Sequence, residues 1–306
     1  MNRGRMLFHR DFHGPTGGHG KVRDYFGHAL ALGWDARVYL TPGSLRDASN
    51  PWMDVPERIE PQWRPDTADM LFLAGMDWAA LPNQGDGGPP ILNLVQGVRH
   101  ADPALPLHGW LDRPAWRICV SHPVAVAIAG TGRVNGQVRV IPAAIDLVAL
   151  QSAAGARAGG TVFIGAAKDP ALGIALAARL RDAGLRVDLA TRWMTRPDYL
   201  VALASAEIAI PLPLPQEGFF LPGLEAMALG CLTVMPHCIG SHEYARDGKN
   251  CVLAARDPEA LAAAVLRLGD REARGSLLRN ARETAARHDL PAEQAAFGAV
   301  LEEATA

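Results

Sequence analysis

The chain has 306 residues, enough for two domains of roughly 150 residues each. Its 49% apolar and 20% charged residues form a globular composition that excludes a disordered chain. A net charge of −2, with acidic and basic residues equal in number over the first 150 positions, leaves no basic surface for nucleic acid.

The most membrane-like run, residues 118–130, contains Ser121, His122 and Pro123, and is too short and too polar to span a bilayer. Arg3, Arg5, Arg10 and Asp11 precede no sustained apolar segment, which predicts no secretory leader and a cytoplasmic protein.

Short apolar runs alternate with helix-period stretches, the pattern of parallel α/β domains. Residues 6–9 predict a first strand, followed by a glycine-rich turn and a helix over 21–32 with Gly33 at its C-cap. Residues 38–40, 70–73, 91–95, 118–121 and 137–141 supply further strands, while the Pro-, Asp- and Arg-rich stretch 41–66 is expected to wrap the surface outside the sheet. Residues 151–160 (QSAAGARAGG) read as a linker, dividing the chain into domains of 1–147 and 148–306. The alternation then restarts with strands over 161–164, 186–190, 207–210 and 231–235 and helices over 170–183, 197–205 and 222–229; an Ala-, Leu- and Arg-rich helical tail follows from Pro258. Two restarting series predict two doubly wound sheets facing each other across a cleft, with ligand beyond the carboxyl ends of the strands.

The most informative segment is residues 215–230, PQEGFFLPGLEAMALG. Pro222 suits the start of a helix, so the amides of Gly218, Phe219 and Leu221 are expected at a helix N-terminus, where unsatisfied donors favour phosphate or sugar oxygens. Glu225 follows Glu217 by eight residues, a spacing that lets two carboxylates address two parts of one ligand. Taken singly, residue type favours a dipole-complementing helix glutamate for Glu225 and a solvated one for Glu217.

This segment resembles the Glu-x7-Glu signature, E-G-F-G-L-P-x-x-E-A-M-A-x-G, of the retaining glycosyltransferases of family four, with Phe220 in place of one glycine. Residues 14–21 (GPTGGHGK) resemble the glycine-rich turn of the same enzymes, and Gly17 and Gly18 would let the backbone approach a diphosphate closely. Residues 240–250 (GSHEYARDGKN) resemble the family's G-x-x-E-x-x-x-D-G-x-N turn, and Ser121 with residues 140–146 its domain crossing.

The resemblance implies a GT-B fold of two Rossmann-like domains around a central cleft. It implies Glu225 on the ribose of a nucleotide, Glu217 beside the donor sugar, and Lys168 on the leaving phosphates. An N-domain histidine near the reacting centre would be His100, with His122 as the alternative. Arg99 reads either as a phosphate contact or as a solvent-facing salt bridge. The family's arginine before the lysine is replaced here by Ala166 and Ala167, and the Asn-Gly of its crossing by Ala143 and Ala144.

The implied activity moves a sugar, with retention, from a nucleotide-diphosphate donor to a saccharide or lipid-linked saccharide acceptor in bacterial surface polysaccharide or glycoconjugate synthesis. The alternatives are a non-catalytic nucleotide-sugar-binding subunit and another GT-B enzyme such as a sugar-nucleotide epimerase. No D-x-D pair offers a carboxylate cradle for Mg²⁺, so neither metal nor cofactor is expected. Val22 after Lys21, where Ser or Thr is required, excludes a P-loop ATPase. Cys119, Cys231, Cys238 and Cys251 match no zinc spacing and read as reduced core thiols. The Arg-rich stretch 267–287 reads either as a peripheral contact with an anionic inner membrane face or as a solvated helix face. Lys21, Lys168 and Lys249, the only lysines, are all expected in glycine-bearing loops.

Overall fold

A computed structural model describes residues 3–81, 88–152, 160–269 and 271–305. The chain divides into two compact units, one of Met1–Ala143 with Glu293–Ala306 and one of Ala144–Ala292.

In the first unit the described elements run β1 (Arg5–Arg10), α1 (Gly17–Ala31), β2 (Asp35–Leu40), β3 (Ile59–Glu60), β4 (Met70–Ala74), β5 (Ile91–Val95), α2 (Pro106–Gly109), β6 (Trp116–Cys119), α3 (His122–Ala129) and β7 (Val138–Val140). Seven parallel strands order as β3-β2-β1-β4-β5-β6-β7. The chain leaves β1 in one direction and returns to its other side at β4, so the strand order reverses between them. The centre of β1 and all of β4 are apolar because both faces of an inner parallel strand are covered: Met6, Leu7, Phe8, Leu71 and Phe72 are fully buried. Phe8 packs against Phe26 of α1 at 5.2 Å and Phe72 at 4.6 Å between ring centroids.

β3 corrects the expectation that 41–66 stays outside the sheet: Val38 and Tyr39 pair with Ile59 and Glu60. A two-residue edge strand offers no periodicity to read.

The second unit holds α4 (Leu147–Ser152), β8 (Thr161–Gly165), α5 (Pro170–Asp182), β9 (Arg186–Ala190), α6 (Arg196–Ser205), β10 (Ile208–Pro211), α7 (Leu221–Ala228), β11 (Leu232–Pro236), β12 (Val252–Ala254), α8 (Pro258–Leu266) and α9 (Arg271–Ala286). Its parallel strands order as β12-β11-β10-β8-β9, so the order reverses between β8 and β10. Val162, Ile164, Ile210 and Val234 from the strands pack with Leu176 and Leu180 of α5 and Leu261 and Val265 of α8. Helix starts follow local chemistry: Asp169, Thr195 and Asp257 accept from backbone amides of α5, α6 and α8, each just before a helix with proline in its first two positions. Most of the expected linker, residues 153–159, lies outside the described residues, while 151 and 152 end α4.

The last helix, α10 (Leu290–Thr305), packs from Glu293 onward on the first unit rather than extending the second. Its Phe297 is fully buried against Tyr25 at 4.9 Å. Glu293 Oε2 pairs with Lys21 Nζ at 2.7 Å and His28 Nε2 at 2.9 Å, all buried. Lys21 is therefore a helix residue tying α1 to α10, not a loop lysine. The boundary expected at 147/148 falls at 143/144, beside the two alanines of the expected crossing. Among the described residues, no helix is long and apolar enough to cross a membrane.

Candidate functional site

Open α/β sheets bind ligands beyond the carboxyl ends of strands where the strand order reverses. In the second unit that point lies between β8 and β10, and the connections leaving these strands carry Lys168 and Glu217. They meet: the Lys168 ammonium pairs with Glu217 Oε1, which also accepts from the amide of Leu214 at 3.1 Å. The Lys168 Nζ lies 5.7 Å from the centroid of the Phe220 ring. Both charged groups keep partial solvent contact, 26% and 17% for their side chains. The pair remains open to a ligand oxygen that competes for the ammonium.

Gly218, Phe219 and Phe220 turn the chain into α7, with Leu221 and Pro222 its first two residues. Phe220 adopts φ 69° and ψ 64°, left-handed backbone that costs a side-chain-bearing residue roughly 1–2 kcal/mol. The resembled pattern has glycine at this position, the residue that adopts this conformation without a Cβ penalty. The Tyr244 hydroxyl donates to the Phe220 carbonyl at 2.7 Å and holds the turn. A Cβ on Gly240 would collide with the backbone of Gly218 and Phe219, which explains a glycine there. Asn250 donates to the Tyr244 carbonyl at 2.8 Å and to Thr284 Oγ1 at 2.9 Å. The GSHEYARDGKN segment thus braces the 217–221 turn from behind.

Glu225, 3% exposed, pairs with the Arg196 guanidinium of α6 at 2.7 Å. The Tyr199 hydroxyl, buried without a hydrogen-bond partner among the described residues, lies in the field of that carboxylate; burial first, then Glu225, pushes its pKa well above the ordinary tyrosine value. Ala166 is fully buried, and a Cβ on Gly173 would overlap its side chain, so no arginine fits there. Arg256, just past β12, bonds instead to Asp169 at 2.8 Å and to the Pro213 carbonyl, tying the connections after β8 and β10 together. Sequence reasoning missed Arg196 and Arg256, because neither sits at a motif spacing.

In the first unit, Gly17 and Gly18 are the first two residues of α1, and the N-cap Thr16 Oγ1 accepts from the amide of His19 at 3.2 Å. Gln96, just after β5, donates to the Gly18 carbonyl at 3.2 Å and fixes the turn to the strand edge. Four residues on, His100 is 3% exposed in a short 3₁₀ turn. Burial, with the charges of Arg99 and Arg117, pulls its pKa down to about 3, so it is neutral and withdrawn from solvent. His122 is the exposed first residue of α3. All four cysteines are free and buried; burial pushes Cys119 and Cys251 up to about 12, the behaviour of inert core thiols. In the Arg-rich tail, Arg274 pairs with Glu207 at 2.8 Å and Arg282 lies against Gly230, so both face their own unit.

Residues 124–271 match the family model of glycosyl transferases group 1. No match was found among curated protein sequences. Among solved structures, the chain is similar to HepE of Anabaena in complex with UDP-glucose, at TM-score 0.72 and 14% identity over 98% of this chain and 100% of that one. It is also similar to sucrose-phosphate synthase from Thermosynechococcus elongatus, at TM-score 0.69 and 16% identity over 98% of both chains. A glycosyltransferase from Rickettsia africae aligns at TM-score 0.72 and 10% identity over 99% of both. With its two parallel α/β units, the chain has the GT-B fold of two Rossmann-like domains, and the similarity to the glycosyl transferases group 1 model runs over residues 124–271.

Proposed function

We propose that the protein is a retaining, metal-independent glycosyltransferase that moves a sugar from a nucleotide-diphosphate donor to an acceptor hydroxyl. The observation that carries this reading is the Lys168–Glu217 pair at the strand-order reversal of the second unit, in the connections after β8 and β10. Lys168 is assigned to the leaving diphosphate, where an ammonium already in place stabilises charge as it develops. Glu217, with the turn amides of Gly218, Phe219 and Leu221, is assigned to the donor sugar. Glu225 is assigned to the ribose, whose hydroxyls would replace Arg196 on a carboxylate that the fold keeps buried. Gly17 and Gly18, which begin α1, are assigned to a phosphate-binding turn of the first unit. His100, buried as it is, is assigned to shaping the connection that carries Gln96. Acceptors of saccharide or lipid-linked saccharide type, used at the cytoplasmic membrane face in polysaccharide or glycoconjugate synthesis, complete the proposal.

The test is a thermal-shift screen with UDP-, GDP-, ADP- and TDP-sugars, followed by nucleotide-release assays with and without EDTA and product anomer analysis. One donor class should raise the melting temperature, since binding to the folded state alone stabilises it. Turnover should persist in EDTA and preserve the anomeric configuration. Phe220 in its strained conformation, with its ring at the Lys168 ammonium, favours a second reading, a nucleotide-sugar-binding subunit without turnover. Donor binding with no product on any saccharide acceptor would establish that reading instead.

A further inference from the structure

Arg196 and Tyr199 lie three positions apart on α6 and share one face of that helix, the face that meets Glu225 of α7. Arg196 Nη2 pairs with Glu225 Oε1 at 2.7 Å. The two partners differ sharply in exposure: the Glu225 side chain is 5% exposed, whereas that of Arg196, the first residue of α6, is 55% exposed. The carboxylate is fixed inside the unit, while the guanidinium is already largely hydrated and gives up little on leaving for water. Further along α6, Leu200 and Leu203 are buried, and the Leu203 carbonyl accepts from Cys231 Sγ at 3.1 Å. The helix itself is therefore anchored, and only its Arg196 end is loose.

Tyr199 packs its ring edge-on against Phe163 of β8 at 5.9 Å between centroids, a contact that phenylalanine would make equally well. Its hydroxyl is buried and has no hydrogen-bond partner among the described residues. A buried donor left unsatisfied costs the whole of its desolvation, so this hydroxyl calls for an acceptor. Of the charged groups around it, Glu225 acts on it most strongly, ahead of Arg196. An ionised carboxylate only accepts, so Tyr199 can serve Glu225 only as a donor.

We propose that α6 gates Glu225 and selects a ribose over a 2′-deoxyribose: Arg196 competes with the sugar for this carboxylate, and Tyr199 is a positioning residue that donates to it once the sugar has displaced Arg196. A ribose diol offers two O–H donors to the two carboxylate oxygens and can replace a guanidinium, whereas a 2′-deoxyribose offers one. Tyr199 then compensates the buried carboxylate for the lost cation, so its contribution appears only with ribose bound. The inference rests on the assignment of Glu225 to ribose and adds to it a competitor and a dedicated donor. Every group involved belongs to the second unit.

Calorimetric titration with UDP, GDP and ADP, and with the 2′-deoxy form of whichever binds, tests the gate. Arg196→Gln removes the competitor and should tighten ribonucleotide binding by about two- to five-fold, the worth of a partly exposed ion pair. Arg196→Lys keeps a charge but not the planar fork; it guards against unfolding and should tighten binding by a smaller factor. Tyr199→Phe should weaken ribonucleotide binding about ten-fold, the scale of one hydrogen bond to a charged group, and 2′-deoxynucleotide binding by about three-fold or less. Its melting temperature without nucleotide should equal or exceed that of the wild type, because an unpaired buried hydroxyl has been removed. Weaker ribonucleotide binding by Arg196→Gln would make Arg196 a ligand contact and overturn the gate. Equal losses for ribose and deoxyribose in Tyr199→Phe, with a lowered melting temperature, would make Tyr199 structural and overturn its role. Nucleotide binding with affinities unchanged in all variants overturns the gate alone. If neither the wild type nor any variant binds a nucleotide, the nucleotide-sugar reading fails and the gate falls with it.

Discussion

Lys168 and Phe220 show how single residues serve the second unit. The Lys168 ammonium is held by Glu217 on one side and faces the Phe220 ring on another, so it is positioned before any ligand arrives. Such preorganisation gives a charge its effect in a transition state. Lys168→Ala is therefore expected to lower kcat by at least about 10²-fold, measured by nucleotide release at saturating donor. Phe220 exposes the cost of the same turn. Phe220→Gly and Phe220→Ala remove the same ring, so their difference isolates the backbone at φ 69°. The glycine variant should be more stable than the alanine variant by about 1 kcal/mol in urea unfolding, the reverse of their order in ordinary backbone.

At the scale of elements, the site depends on how closely α7 seats against the segment behind it. A Cβ on Gly223 would collide with the Tyr244 hydroxyl and lie 2.9 Å from Met235 Sδ. That hydroxyl is the one that holds the Phe220 carbonyl. Gly223→Ala should cost about 1–3 kcal/mol by overpacking and should also weaken donor binding, because the tyrosine cannot yield without releasing the turn. Calorimetric unfolding combined with donor titration checks both halves; a stability loss with unchanged donor affinity would separate Tyr244 from the site. The 217–230 segment could be read from sequence because its constraints are local: a glycine-bearing turn, a proline at a helix start and two acids on one short stretch. The role of GSHEYARDGKN could not, because Gly240 matters only through backbone that lies some twenty residues earlier in the chain.

Over the whole molecule, α10 returns the end of the chain to the first unit through the buried Lys21–Glu293–His28 cluster. Burial pushes the Glu293 carboxyl up, but the His28 hydrogen bond and the Lys21 charge outweigh it and hold it below its ordinary value of 4.5. A carboxyl held down in the folded state contributes stability that is present above its unfolded value and lost as pH falls through the folded one. Asp24, raised by burial against the pull of Lys21, offsets part of that gain. Glu293→Gln is expected to cost about 3 kcal/mol near neutral pH, the lower end for breaking a buried pair because Asp24 still holds Lys21. The difference from wild type should shrink below about pH 4.5 in urea unfolding, and a pH-independent difference would remove Glu293 ionisation from the account.

The sequence by itself located elements such as β5, α5 and α8, because an apolar run such as 91–95 and caps such as Asp169 and Asp257 act on their own neighbours, whereas the short edge strand β3 escaped it. It also determined the family resemblance of 217–230, since that information is contiguous. Only the tertiary structure decided which connections meet. Lys168 reaches Glu217 across 49 positions, Arg10 reaches Asp77 across 67, and Lys21 reaches Glu293 across 272. The physical reason is that crossovers and packing on both faces of a parallel sheet decide which elements are neighbours, so the first two pairs meet where strand order reverses and the third where α10 packs on α1.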